Sequence, residues 1–205
     1  MITRMRTHRD AAAATANSAA NEILAFWFGE GADHGKRREQ WFKKDVAFDE
    51  EIRRRFLATY ELAAAGELAR WKDDARLCLA LIVVLDQFPR NMFRGSPRAF
   101  AADALAREAT LGALASGFDA ALKPVERQFI YLPLEHSESL PDQRQCLQLM
   151  RALSAFAETA ELHIWAEKHL AIVRRFGRFP HRNAALGRES TKEERQFLTQ
   201  PGSGF

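Results

Sequence analysis

Apolar residues recur along most of this chain at intervals of three and four, the spacing that lines one face of an α-helix. Ile23, Leu24, Trp27 and Phe28 form the first stripe, with Ser18 ahead of it as a start signal and Gly29 behind it as a stop. Residues 46–65 carry a second stripe through Phe48, Ile52, Phe56, Tyr60 and Ala63, with Glu50, Arg53, Arg54 and Glu61 largely off it and Gly66 beyond its end. Asp73 and Asp74 cap a third helix over residues 75–87, apolar on nearly every side and therefore expected at the centre of the core. Pro89 disfavours the helical conformation at Phe88, so this helix is expected to end close to Gln87.

The second half continues in the same period. Pro97 opens a helix with Phe100, Ala104, Leu111 and Leu114 on one side and Gly117 at its end, and Pro124 opens a shorter one to Tyr131. Ser139 and Asp142 have the spacing of a capping box before Cys146, Leu149, Met150, Leu153 and Phe156. Residues 160–176 place Leu162, Trp165, Ala166, Ile172 and Val173 on one face and end at Gly177, and Thr191 with Glu194 three residues on caps a last helix. Strand-like alternation is absent. The pattern predicts an all-α fold of antiparallel helix hairpins, one helical domain over residues 21–200.

Composition changes this picture little. The 205 residues are 47% hydrophobic and 28% charged, an ordinary balance for a chain with a buried core. Residues 1–20, Ala-rich and poor in acids, read as a disordered tail, with a cleaved targeting peptide as the alternative. No apolar run reaches the roughly 20 residues of a membrane helix, so no membrane partner is expected. Cys78 and Cys146 sit inside helical patterns and read as free, buried thiols of a reducing, cytoplasmic compartment. The net charge of +3 is modest, but residues 168–195 hold eight Lys or Arg against three Glu. Without a reading motif beside it, that local surplus does not indicate nucleic acid.

The candidate chemistry lies in polar residues at unusual places. Asp86 falls at the C-terminal end of a buried helix, where the dipole opposes a carboxylate by about 0.3 to 1 kcal/mol. It therefore needs a cation, and Arg90 and Arg94 follow in the turn. His169 lies on an apolar stripe, where a buried imidazole needs a partner. Glu135-His136-Ser137-Glu138 sets carboxylates beside an imidazole, the raw material of acid–base chemistry and equally of a structural loop. Arg178, His181, Arg182, Asn183 and Arg188 crowd the loop before the last helix, a composition that suits an anion. The same charges also complement the negative end of the preceding helix. One short motif occurs twice: Phe88-Pro89-Arg90-Asn91 returns as Phe179-Pro180-His181-Arg182-Asn183, so two such loops could face each other, the alternative being that Phe-Pro simply ends two helices and the match is coincidence.

Gly-x-Ser-x-Gly, His-Glu-x-x-His, a phosphate-binding loop and paired Cys-x-x-Cys are all absent, and His136, Glu138, His169 and His181 lack the spacing of a metal site. No metal or other cofactor is expected, and no reaction is named by these motifs. Phe26-Trp27-Phe28, Trp41-Phe42 with Asp45, Leu85 to Asn91, Glu135 to Glu138 with Gln143, and Phe176 to Asn183 with Leu186-Gly187-Arg188 together closely resemble the bacterial domain-of-unknown-function family 924 over residues 21–198. The resemblance implies a tetratricopeptide-like α-α superhelix and no established activity.

The residues themselves support a pocket for a small anionic ligand between the two Phe-Pro loops and the Glu135 loop. In that reading Arg90, Arg178 and Arg182 hold the anion, Asn91 and Asn183 orient it, and Asp86 fixes the arginines. If there is catalysis, His136 or His181 moves protons with help from Glu138. The alternative is a peptide-binding or scaffolding helical module in which these polar loops are clamps.

Overall fold

A computed structural model of the protein describes residues 2–204, with side-chain environments from residue 14 onward. It consists of helices α1 (Ile2–Phe28), α2 (Val46–Ala64), α3 (Ala75–Ile82), α4 (Phe88–Met92), α5 (Asp103–Ala115), α6 (Pro124–Glu135), α7 (Leu140–Ala152), α8 (Leu162–Phe176) and α9 (Lys192–Leu198). There is no strand among the described residues. Consecutive helices α5 to α8 pack on one another, α3 lies against α1, α5 and α6, and α2 lies against α4.

The apolar run through α3 and the start of the turn that follows it is central, as its all-round hydrophobicity requires: Cys78 to Leu85 are buried without exception. Against it stands an aromatic group in which Trp27, Phe28, Trp41, Phe88 and Phe129 meet mostly edge to face, with Phe129 and Trp41 ring centroids 4.8 Å apart. The end of α1 is closed by side chains of the next segment. Arg38 donates to the carbonyls of Phe26 and Trp27 at 2.6 and 2.8 Å, and the Trp41 indole donates to Trp27 at 2.8 Å, satisfying acceptors that a helix C-terminus leaves open.

Local signals placed many boundaries. Asp74 accepts hydrogen bonds from the amides of Arg76 and Leu77, and Thr191 and Glu194 form the reciprocal box at the start of α9. Gly66 and Gly177 adopt the left-handed conformation that ends α2 and α8. Other expectations need correction. Ser18 lies inside α1 rather than capping it, and Pro97 opens a short 3₁₀ turn while α5 begins at Asp103. Ser139 makes no side-chain cap, and the reciprocal half of the box is diverted too: its amide donates to the Ser137 hydroxyl, while the Asp142 carboxylate is taken by Arg107 and by that same hydroxyl. Trp165 is 45% exposed under the Lys168 ammonium, off the buried face of α8. The helix from Pro124 runs past Tyr131 to Glu135.

The correction that matters most concerns Pro89. The chain does not leave the helix before it: Phe88 is right-handed helical, and α3 passes into α4 through one wider π turn, Val83–Gln87. Within that turn the amide of Phe88 donates to the carbonyl of Val83, five residues back. A proline in an α-helix clashes with the carbonyl four residues earlier, and the extra width of a π turn relieves that clash. The turn carries Asp86 into the interior.

Candidate functional site

Asp86 is fully buried in the π turn and surrounded by donors. Nδ1 of His136 lies 2.8 Å from one carboxylate oxygen and 3.0 Å from the other, the Gln87 amide donates to it, and Nη1 of Arg90 stands 3.2 Å away. Burial pushes the Asp86 pKa up, but the Arg90 and His136 charges and hydrogen bonds outweigh it and hold the group well below the usual carboxylate range. An ionised carboxylate can only accept, so Nδ1 of His136 is the donor and the neutral ring keeps its lone pair on Nε2. Among the described residues Nε2 makes no hydrogen bond, and it is not sealed from solvent.

Arg90 links this pair to α5. Its guanidinium donates to both oxygens of Asp103 at 2.9 and 3.0 Å and to the Asp86 carbonyl at 2.6 Å. Asp103 also faces Arg182, whose Nη1 lies 3.4 Å away. Arg182 is 6% exposed, its guanidinium carbon 4.9 Å from the Phe100 ring centroid and 4.5 Å from that of Phe179. That single long contact is its one hydrogen bond among the described residues, and its buried Nε has no acceptor. Burial, with the Arg90 charge, lowers its pKa to about 10.

From Phe179 the contacts return to their origin: its ring centroid is 5.6 Å from that of His169, and His169 is 6.4 Å from His136. Asp86, Arg90, Asp103, Arg182, Phe179, His169 and His136 thus form a closed circuit. Burial, opposed by its bond to the Trp165 carbonyl, lowers His169 to about 3. Burial and the Arg182 charge lower His181, beside Phe179, to about 4. His136 is lowered by burial and Arg90, with Asp86 pulling the other way. Beneath the rings, Glu135 is buried 3.4 Å from Nδ1 of His169. Burial and the Asp86 charge push it up to about 8, so it holds a proton at neutral pH.

The circuit gathers Asp86, Arg90, His136, His169 and Arg182 of the sequence candidates, with His181 at its edge, and the rest are engaged elsewhere. Asn91 donates to Asp49 at 2.7 Å, beside the two hydrogen bonds that Asp49 takes from Arg94. Arg178 grips both oxygens of Glu194, and Asn183 donates to Ser190 and Glu194. Glu138 is not the partner of His136: it accepts from the Phe179 amide and is bound by both ends of Arg188. Asp103 carries no signal in the sequence, because an acid in the first turn of a helix already answers the helix dipole. Open surface depressions of about 400 Å³ lie beside α1, around Asn21, Ala25, Glu30, His34 and Arg76, away from this circuit. No group of three or more His, Cys, Asp or Glu side chains is placed to hold a metal among the described residues. No helix among them is long and apolar enough to cross a membrane.

Comparison with known proteins agrees with this architecture. The chain is similar to a solved structure from Agrobacterium tumefaciens, the protein of unknown function ATU0120, at 42% identity and a TM-score of 0.79, covering 89% of this chain and 97% of that one. No curated protein matches it. The family model described as bacterial protein of unknown function (DUF924) matches residues 23–202, and the chain belongs to that family.

Proposed function

We propose that the circuit is a binding site for a small anionic ligand, held by Arg182 with Arg90 beside it and reached along the partly exposed edge of His136, Arg90 and Asp103. The observation that carries this reading is Arg182. A guanidinium offers five donors, and burying one with a single long hydrogen bond leaves a cost that an anionic acceptor removes. The Phe100 and Phe179 rings hold its guanidinium carbon at 4.9 and 4.5 Å, so a carboxylate or phosphate oxygen meets donors already held in place. Arg178, Asn91 and Asn183, which have carboxylates of their own, are left out of the site.

The test is the melting temperature of the protein across a panel of carboxylates, phosphates and nucleotides, with Arg182→Met alongside. A ligand at about 100 times its Kd adds roughly 2.7 kcal/mol of stability. The reading expects a rise with one class of anion that disappears in the variant. No rise with any anion, or the same rise in the variant, rejects it.

A further inference from the structure

The fixed charges of the circuit cancel: Arg90 and Arg182 stand against Asp86 and Asp103, with Glu138 matched by Arg188 at its margin. An anion entering such a closed group leaves it negative unless a proton enters too. The groups able to take that proton, or to oppose it, are few. The π turn presents Asp86, α4 Arg90, the start of α5 Asp103, the end of α6 Glu135, α8 His169, and the second Phe-Pro loop His181 and Arg182. Glu135 already carries a proton. His169 is buried, with Nδ1 held at the Trp165 carbonyl 2.9 Å away. His136 differs from both, because Nδ1 rests on an ionised carboxylate that stabilises an imidazolium, while Nε2 has no partner among the described residues and is not sealed from solvent.

We propose that the site takes up a carboxylate monoanion together with one proton, and that Nε2 of His136 receives the proton. This rests on the anion-binding reading above and adds the ligand class and the proton-transfer group. The balance is one N–H bond formed at Nε2 and one O–H bond broken in a water or hydronium donor; the ligand keeps its charge. In the free protein Arg90 and Arg182 disfavour a charged His136. A negative charge about 5 Å away, at an effective dielectric constant of about 20, raises proton affinity on the order of a hundredfold. The bound state therefore holds an acid hydrogen beside the carboxylate, positioned by Asp86.

The experiment uses the full chain labelled with ¹⁵N at histidine and arginine, titrated separately with acetate and inorganic phosphate between about pH 6 and pH 8. Acetate is expected to shift the Arg182 Nε signal and to move the His136 Nε2 resonance from the unprotonated to the protonated position. Its affinity is expected to fall by about tenfold per pH unit between the pKa of free His136 and that of the bound state, on the order of a hundredfold in all. His136→Gln should flatten that slope and His181→Gln should keep it. Acetate binding at Arg182 with His136 unchanged overturns the proton uptake and leaves the anion site standing. Binding of phosphate but not acetate overturns the ligand class. Silence of Arg182 toward both removes the anion site itself. The wild-type resonances alone separate these outcomes, so they hold even where His136→Gln fails to fold.

Discussion

Replacing Arg182 by methionine separates a ligand group from a clamp. The side chain is buried, yet its hydrogen bonding amounts to one 3.4 Å contact, longer than the usual 2.7 to 3.2 Å range. Removing it releases an unsatisfied donor, a gain of about 1 to 3 kcal/mol. Against this stand two cation–π contacts, of order 0.5 to 2 kcal/mol each, which the thioether recovers in part by packing between the same rings. Asp103 is not orphaned, since Arg90 keeps both its oxygens. The terms nearly cancel, and the expected change is within about 1 kcal/mol of wild type.

Asp86→Ala supplies the contrast. It strips Nδ1 of His136 and one side of Arg90 of a fully buried counter-charge, and breaking such a pair costs about 3 to 5 kcal/mol. The assay is urea unfolding followed by circular dichroism, comparing midpoints at unchanged slope. A loss above about 3 kcal/mol for Arg182→Met, equal to that of Asp86→Ala, would show that Arg182 is a structural clamp and not a ligand group.

Three further outcomes follow from the same geometry. Glu135 is raised to about 8 in the folded protein, against about 4.3 in an unfolded chain, so its contribution is complete below about pH 4 and is lost as pH rises through about 8. Glu135→Gln is therefore expected to gain on wild type by about 1.4 kcal/mol per pH unit across that window, and urea midpoints that keep a constant gap from pH 5 to pH 8 contradict it. Thr191→Ala removes the N-cap of α9 and should cost about 1 kcal/mol; an unchanged midpoint means the cap is not needed. Phe129→Ala empties the edge-to-face group with Trp27, Phe28 and Trp41, with an expected loss of about 3 to 5 kcal/mol, whereas a loss under about 1 kcal/mol would mean the core refills.

The helices were legible where their signals are local. Gly66, Gly177, Asp74 and the Thr191–Glu194 pair act within four residues of the boundary they set. The π turn was not legible, because its extra width answers a clash between Pro89 and its own helix that Phe-Pro alone reads as a stop. The core position of His169 could be inferred from its stripe, yet Trp165 on the same stripe is exposed, since spacing fixes the direction of a face and not its width. The site was legible as a set of residue types and not as pairs. Asp86 and His136 are separated by 50 positions, Asp103 and Arg182 by 79, and only the packing of α4, α5 and α6 with the second Phe-Pro loop brings them together.

The repeated Phe-Pro motif makes that pairing intelligible. In each copy the arginine reaches the same carboxylate, Asp103, while the asparagine beside it reaches an acid in the first turn of another helix. For Asn91 that acid is Asp49 of α2, held also by Arg94; for Asn183 it is Glu194 of α9, held also by Arg178. Neighbouring side chains on a short helical turn diverge, so one residue can anchor the loop while the next is delivered inward. Stability and site are thereby assigned to different residues of one motif. The two copies differ at the arginine: Arg90 has two carboxylates and a carbonyl, whereas Arg182 has one distant contact. Asp103 is shared unequally: Arg90 holds both its oxygens at 2.9 and 3.0 Å, while Arg182 reaches one of them only at 3.4 Å. The deficit therefore falls on the second copy, and it is this arginine that the proposed anion would complete.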